Sequence, residues 1–130
     1  AYRSAAGRFR TALSAGCAEP LTVVATACTH RRFAPYRSLE LMAAEQPDLF
    51  MHLGDMSYND GATDRVEYRL RWHEALSDPG YRALLPACGM YVTWDDHEIV
   101  DSSRYYSIDD ARRRVATEAA HCVDGAHHGP

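Results

Sequence analysis

Three short apolar runs, each closing on residues that carry donor atoms, limit what this chain can fold into more than any other feature. Leu21 to Cys28 is rich in β-branched residues and leads into Thr29-His30. Asp48 to Leu53 is closed by Gly54 and leads into Asp55-Met56-Ser57-Tyr58. Gly89 to Trp94 leads into Asp95-Asp96-His97-Glu98. Runs this apolar read as buried strands of a parallel sheet. Between them the hydrophobic period becomes helical. Tyr36 to Gln46 sets Leu39, Met42 and Ala43 at core-facing spacing and is stopped by Pro47. Arg65 to Leu76 carries Tyr68, Trp72 and Leu76 four apart on one face. Asp78-Pro79 opens a short helix through Leu85, and Asp109 to His121 forms another with two aspartates at its positive end. Strands alternating with helices imply an α/β fold of parallel βαβ units with right-handed crossovers. In such sheets ligands bind beyond the C-terminal ends of the strands, so the three donor-bearing ends are expected on one edge.

The donor types then suggest a cation. Asp95-Asp96-His97-Glu98 packs three acids into four residues, and close carboxylates repel unless something positive lies among them. Asp96 is expected to bind a metal while His97 faces a substrate, donating a proton or holding an anionic oxygen. Either Glu98 or Asp95 is expected to orient His97 from behind. Asp55 follows Gly54, so the backbone can turn sharply and present a carboxylate able to bridge two ions. Tyr58 lies three residues on; a phenol ionises near pH 10 and suits only a strongly Lewis-acidic ion. Cys28 ends the first run, where a cation would deprotonate its thiol. His52 reads as a satisfied core histidine, His73 as solvated, and His30 as a residue at the rim of the site. Cys17, Cys88 and Cys122 read as small buried hydrophobes, since no pair has zinc-knuckle or redox spacing.

Composition narrows the function classes. With 46% hydrophobic and 25% charged residues the chain is globular. No apolar run is long enough to span a membrane. Net charge is −4 but uneven, +5 over residues 1–37 and −9 over the remainder. The arginines of the basic part are scattered, which argues against a nucleic-acid footprint.

Ala27-Cys28, the segment Pro47 to Tyr58 and Thr93 to Glu98 together resemble the PhoD-like alkaline phosphatase/phosphodiesterase family of the metallophosphoesterase superfamily. Tyr68-Arg69, Ser77-Asp78-Pro79 and Leu84-Leu85 add to the likeness. Gly7 to Thr11 resembles the last strand of the small β-sandwich that precedes the catalytic domain in that family. The resemblance implies a partial calcineurin-like αββα sandwich over residues 16–130, with 1–15 as the end of the β-sandwich and a linker. It implies a site holding Fe³⁺ with Ca²⁺, in which Cys28 and Tyr58 bind iron, Asp55 bridges, Asp96 stands where the superfamily has a metal-binding Asn, and His97 contacts phosphate. The implied reaction is hydrolysis of phosphomonoesters or phosphodiesters by a metal-generated hydroxide. The substrate would be a small phosphate ester, with nucleic acid entering only as a phosphodiester, and the address periplasmic or secreted. The family's further His and Asp ligands are expected beyond this chain, so the alternative is an incomplete, non-catalytic piece with a weak cation site. A cysteine hydrolase built on Cys28 and His97 is a third, weaker expectation, for want of a base and oxyanion donors.

Overall fold

The computed structural model describes residues 7–101 and 109–124 of the 130, with backbone alone at 110 and 120–124. Its centre is a three-stranded parallel sheet in the order β1 (Val23–Thr26), β2 (Leu49–His52), β3 (Gly89–Val92). The register aligns Val24 with Phe50 and Met90, and Thr26 with His52 and Val92. The first crossover carries α1 (Arg37–Ala44) and the second carries α2 (Arg65–Leu76) and α3 (Pro79–Leu84). Helix α4 (Asp110–Asp124) packs on α2. The expected alternation is therefore present, with each strand two to four residues shorter than its apolar run.

Side chains fix where the helices start. Asp64 caps α2, its Oδ1 accepting the Val66 and Glu67 N–H groups at 2.8 and 2.9 Å. Asp78 caps α3 by accepting from Gly80 at 2.7 Å, with Pro79 in the first turn where its missing N–H costs nothing. The same Asp78 carboxylate accepts from the Tyr36 N–H at 3.2 Å and so joins the starts of α1 and α3. Those helices press together at Gly80, where a Cβ would lie 2.5 Å from the Tyr36 carbonyl oxygen.

The core lies on one face of the sheet. Tyr36, Leu39, Phe50, Met56, Trp72, Tyr81, Leu84 and Cys88 form one buried cluster under α1 and α3. A smaller cluster of Ala62, Tyr68, Ala116 and Ala119 joins α2 to α4. Burial of each large side chain stabilises by roughly 1.5–3 kcal/mol. Tyr68 and Trp72 from the α2 stripe are both buried, but they serve different clusters.

Three expectations need correction. The strands are not buried on both faces: Val23, Met51 and Tyr91 are 47%, 36% and 70% exposed. Among the described residues the helices cover one face, so alternate side chains point outward bare. Residues 7–11 form no strand. Arg8 N–H donates to the Pro86 carbonyl at 2.9 Å, and Arg10 ties the segment to Asp48 and Glu19, but among the described residues no neighbouring strand offers a ladder. Cys17 is exposed rather than buried, because it sits at a turn in the small-residue linker with nothing packed over it; Cys88 is buried as expected. The side chain of Cys122 lies outside the described residues, as do those of His121, His127 and His128.

Candidate active site

Each strand hands its following residues to the same edge of the sheet. After β1 the chain turns at Cys28, and after β2 it turns at Gly54-Asp55. Cys28 and Asp55 both take left-handed φ values, 56° and 57°, which non-glycine residues adopt at a cost of about 1–3 kcal/mol each. The backbone offsets that cost by pairing the two turns. Cys28 N–H donates to the Gly54 carbonyl and Thr29 N–H to the Asp55 carbonyl, both at 3.0 Å. Gly54 is required at its position: its φ is 108°, and a Cβ there would lie 2.7 Å from the Asp95 Cβ.

The third turn is held to the second by Glu98. Its side chain is fully buried, and its two oxygens accept four backbone N–H groups. Asp55 and Asp95 donate to Oε2 at 3.0 and 2.8 Å; Met56 and Ser57 donate to Oε1 at 2.5 and 3.2 Å. Burial pushes the Glu98 carboxyl up from its ordinary range, and these four donors pull against that. Asn59 completes the seam, its Nδ2 donating to the Glu98 carbonyl at 2.7 Å and its N–H to the His97 carbonyl at 2.9 Å.

The expected site residues meet around Asp55. Its Oδ2 accepts from Cys28 Sγ and from the Tyr58 hydroxyl, each at 3.4 Å. Its Oδ1 accepts from the His97 N–H at 3.4 Å. Donor atoms of Asp55, Asp96 and His97 lie within 4.8 Å of one another, spacing compatible with a shared ion. The Tyr58 ring packs against those of His30 and His97, with centroids 4.3 Å from each and tilts of 53° and 33°. Burial, then the Asp55 charge, raises the Tyr58 phenol far above its ordinary value; burial and the bond to Asp55 also push the Cys28 thiol up. Thiol and phenol therefore each hold a proton against one carboxylate oxygen, which is where a cation would substitute for both protons. Two carboxylates, a phenol, a thiol and an imidazole suit a strongly charged ion with a harder companion, so the residues fit the Fe³⁺ and Ca²⁺ expectation.

His97 is oriented by a residue the sequence reading did not single out. Its Nδ1 lies 2.8 Å from Asp60 Oδ1, and Nε2 lies 3.8 Å from Asp96 Oδ2. Burial alone would lower the His97 pKa; the bond to Asp60 and the charges of Asp60, Asp55 and Asp96 more than reverse that, and the net shift is upward. Neither Glu98 nor Asp95 takes this orienting place. Glu98 is spent on backbone amides, and the Asp95 side chain accepts from the Asp96 N–H. Asp60 falls in a polar glycine-containing loop that reads as a connection, and only the curl of residues 55–60 brings it round.

The profile of the PhoD-like phosphatase family matches residues 22–124. The chain belongs to that family. Alkaline phosphatase D of Bacillus subtilis (strain 168) is 30% identical over an alignment 115 residues long, and the match covers 74% of this chain and 20% of the relative. A solved structure of PhoD superposes with a TM-score of 0.66 at 25% identity, over 78% of this chain and 24% of that one. The chain thus spans about a fifth to a quarter of the length of these PhoD-like relatives. The family match embraces all three strand ends and all five expected site residues.

His52, expected to be a satisfied core histidine, is fully buried but only half satisfied. Nε2 lies 3.1 Å from Thr29 Oγ1, while Nδ1 has no partner among the described residues. Burial lowers its pKa from 6.5 to about 4, so it is neutral. His73 is exposed, as expected.

Proposed function

We propose that this chain supplies one wall of a metal-dependent phosphoesterase centre that hydrolyses phosphomonoesters or phosphodiesters. One observation carries the reading: the Asp55 carboxylate is touched by the Cys28 thiol, the Tyr58 phenol and the His97 amide, with Asp96 alongside. In this proposal Cys28 and Tyr58 would hold Fe³⁺, Asp55 would be shared between it and Ca²⁺, and Asp96 would complete the ligands this chain provides. Bound cations would supply Lewis acidity for the phosphoryl group and for the attacking water.

The residues' own work follows from their contacts. Glu98 and Asn59 keep the second and third turns in register, so Asp55 and Asp96 face the same space. Asp60 keeps the proton on Nδ1 of His97 and raises its pKa, which favours a second proton on Nε2. That proton is available to a phosphate oxygen or to the departing alkoxide, the role of a general acid. His30 packs its ring against that of Tyr58 at the rim of the site. A cysteine nucleophile gains no support, since the Cys28 thiol meets the Asp55 carboxylate rather than an imidazole and its pKa is raised.

The test is release of nitrophenol from mono- and bis-nitrophenyl phosphate by the full-length gene product, with and without Fe³⁺ and Ca²⁺. Asp55→Asn is expected to lower kcat/KM by at least about a hundredfold and Asp60→Asn by about tenfold. A rate in Asp55→Asn within about tenfold of wild type would remove the bridging role. Because the chain spans only about a fifth of its curated relative, a second reading is a piece that binds cations without turnover. Bound metal with no nitrophenol release, over all conditions tried, selects it.

A further inference from the structure

Behind the site lies a buried polar group that neither the fold nor the proposed chemistry has used. Thr29 Oγ1 lies 3.1 Å from His52 Nε2, 2.6 Å from the Tyr81 hydroxyl, and 3.3 and 3.4 Å from the Asp55 and Met56 carbonyl oxygens. All three side chains sit in the interior. A hydroxyl has one hydrogen and two lone pairs. Both carbonyls can only accept, so the Thr29 hydrogen belongs to them. The lone pairs are then left for the Tyr81 O–H and for a His52 Nε2–H. That assignment makes His52 Nδ1 the bare nitrogen, and Nδ1 is the atom found without a partner. Every hydrogen in the group is thereby placed without conflict.

The position of this group matters. Thr29 follows Cys28, and its backbone and side chain both bind the Asp55 peptide. Cys28 and Asp55 are the two non-glycine site residues held at left-handed φ. The Tyr36 hydroxyl adds a further tie to the Thr29 carbonyl at 2.7 Å. Resting on the reading of Cys28 and Asp55 as metal ligands, we propose that Thr29, braced by His52 and Tyr81, is a positioning residue that sets the Cys28 thiol against the Asp55 carboxylate. It touches neither metal nor substrate and acts by locking the first two turns together.

Cadmium titration of the full chain tests this, read by the ultraviolet charge-transfer band of a Cd²⁺-bound thiolate as the difference from Cys28→Ser. Thr29→Ser keeps the hydroxyl and is expected to bind as wild type. Thr29→Val removes it and is expected to weaken Cd²⁺ affinity by about tenfold or more, as is usual when a residue that orients a ligand is lost. Thr29→Val also strands the His52 and Tyr81 donors, which threatens folding on its own account. The triple variant Thr29→Val, His52→Leu, Tyr81→Phe strands neither. It is expected to keep its far-ultraviolet circular dichroism and still bind Cd²⁺ about tenfold more weakly. Wild-type affinity in a folded Thr29→Val or triple variant would overturn the positioning role alone. No thiolate band in the wild-type chain, or a band that survives Cys28→Ser, would overturn the ligand reading and this inference with it.

Discussion

Asp55 is worth little alone and much in company. A carboxylate in a turn is ordinary, but here one oxygen meets a thiol and a phenol, and the other meets the amide of a histidine. The spacing Gly54-Asp55-x-x-Tyr58 allowed the first meeting to be anticipated, because three residues of a curled loop fit within ligand reach. Asp60 was not legible: nothing in a polar loop announces which carboxylate will swing back to a histidine 37 residues on. His52 makes a prediction at this scale. Its folded pKa is about 4, while the unfolded chain titrates near 6.5. Between those values the unfolded state binds a proton that the folded state refuses, so stability rises with pH there. The contribution is whole above pH 6.5 and is lost as pH falls toward 4, by up to ~3 kcal/mol. Urea unfolding at pH 7 and pH 4.5 should show His52→Leu losing much less stability on acidification than wild type; equal losses would show that His52 is not buried neutral.

At the scale of elements, the strands matter less for their ladders than for the turns they launch. Four-residue strands with two parallel pairings hold three turns in register, and Glu98 then fastens the second to the third. Among the described residues from 21 onward, the sequence reading placed the three strands and four α-helices because apolar period and proline breaks agree there, but it missed the 3-10 turn at Arg31–Phe33. It failed at residues 7–11, where alternation was read as a strand. Alternation specifies which side chains share a face, but a strand also needs a neighbour to pair with. Glu98 was read, with Asp95, as a residue to orient His97; its burial depends instead on four amides converging from two loops, which no local pattern encodes. Glu98→Ala leaves those amides without an acceptor and should cost ~3 kcal/mol or more in chemical denaturation. Gly54→Ala should be similarly damaging, since the new Cβ meets Asp95 at 2.7 Å and φ is 108°. A loss below ~1 kcal/mol in both would mean that the turns relax independently.

At the scale of the molecule, the described residues cover one face of the sheet and leave the other bare. Phe50 and His52 point into the core, whereas Val23, Met51 and Tyr91 point outward on the opposite side. An apolar surface of this kind binds hydrophobic dyes and favours association. The chain should therefore enhance the fluorescence of anilinonaphthalene sulfonate while keeping its helical circular dichroism, and Met51→Lys with Tyr91→Lys should remove most of that enhancement. Unchanged dye binding in the folded double variant would place the apolar surface elsewhere. The apolar runs were read as buried because they lack polar alternation; that property tells of two faces meant for cover, and cannot tell which is covered in this chain.

The account as a whole depends on the groups around Asp55 sharing a cation. Metal content measured by mass spectrometry, after loading the chain with Fe³⁺ and Ca²⁺ and removing free ions by gel filtration, tests that most directly. Retained metal in wild type that falls to about a tenth or less in Asp55→Asn is the predicted result. Equal metal in the two proteins, or none in either, would contradict it.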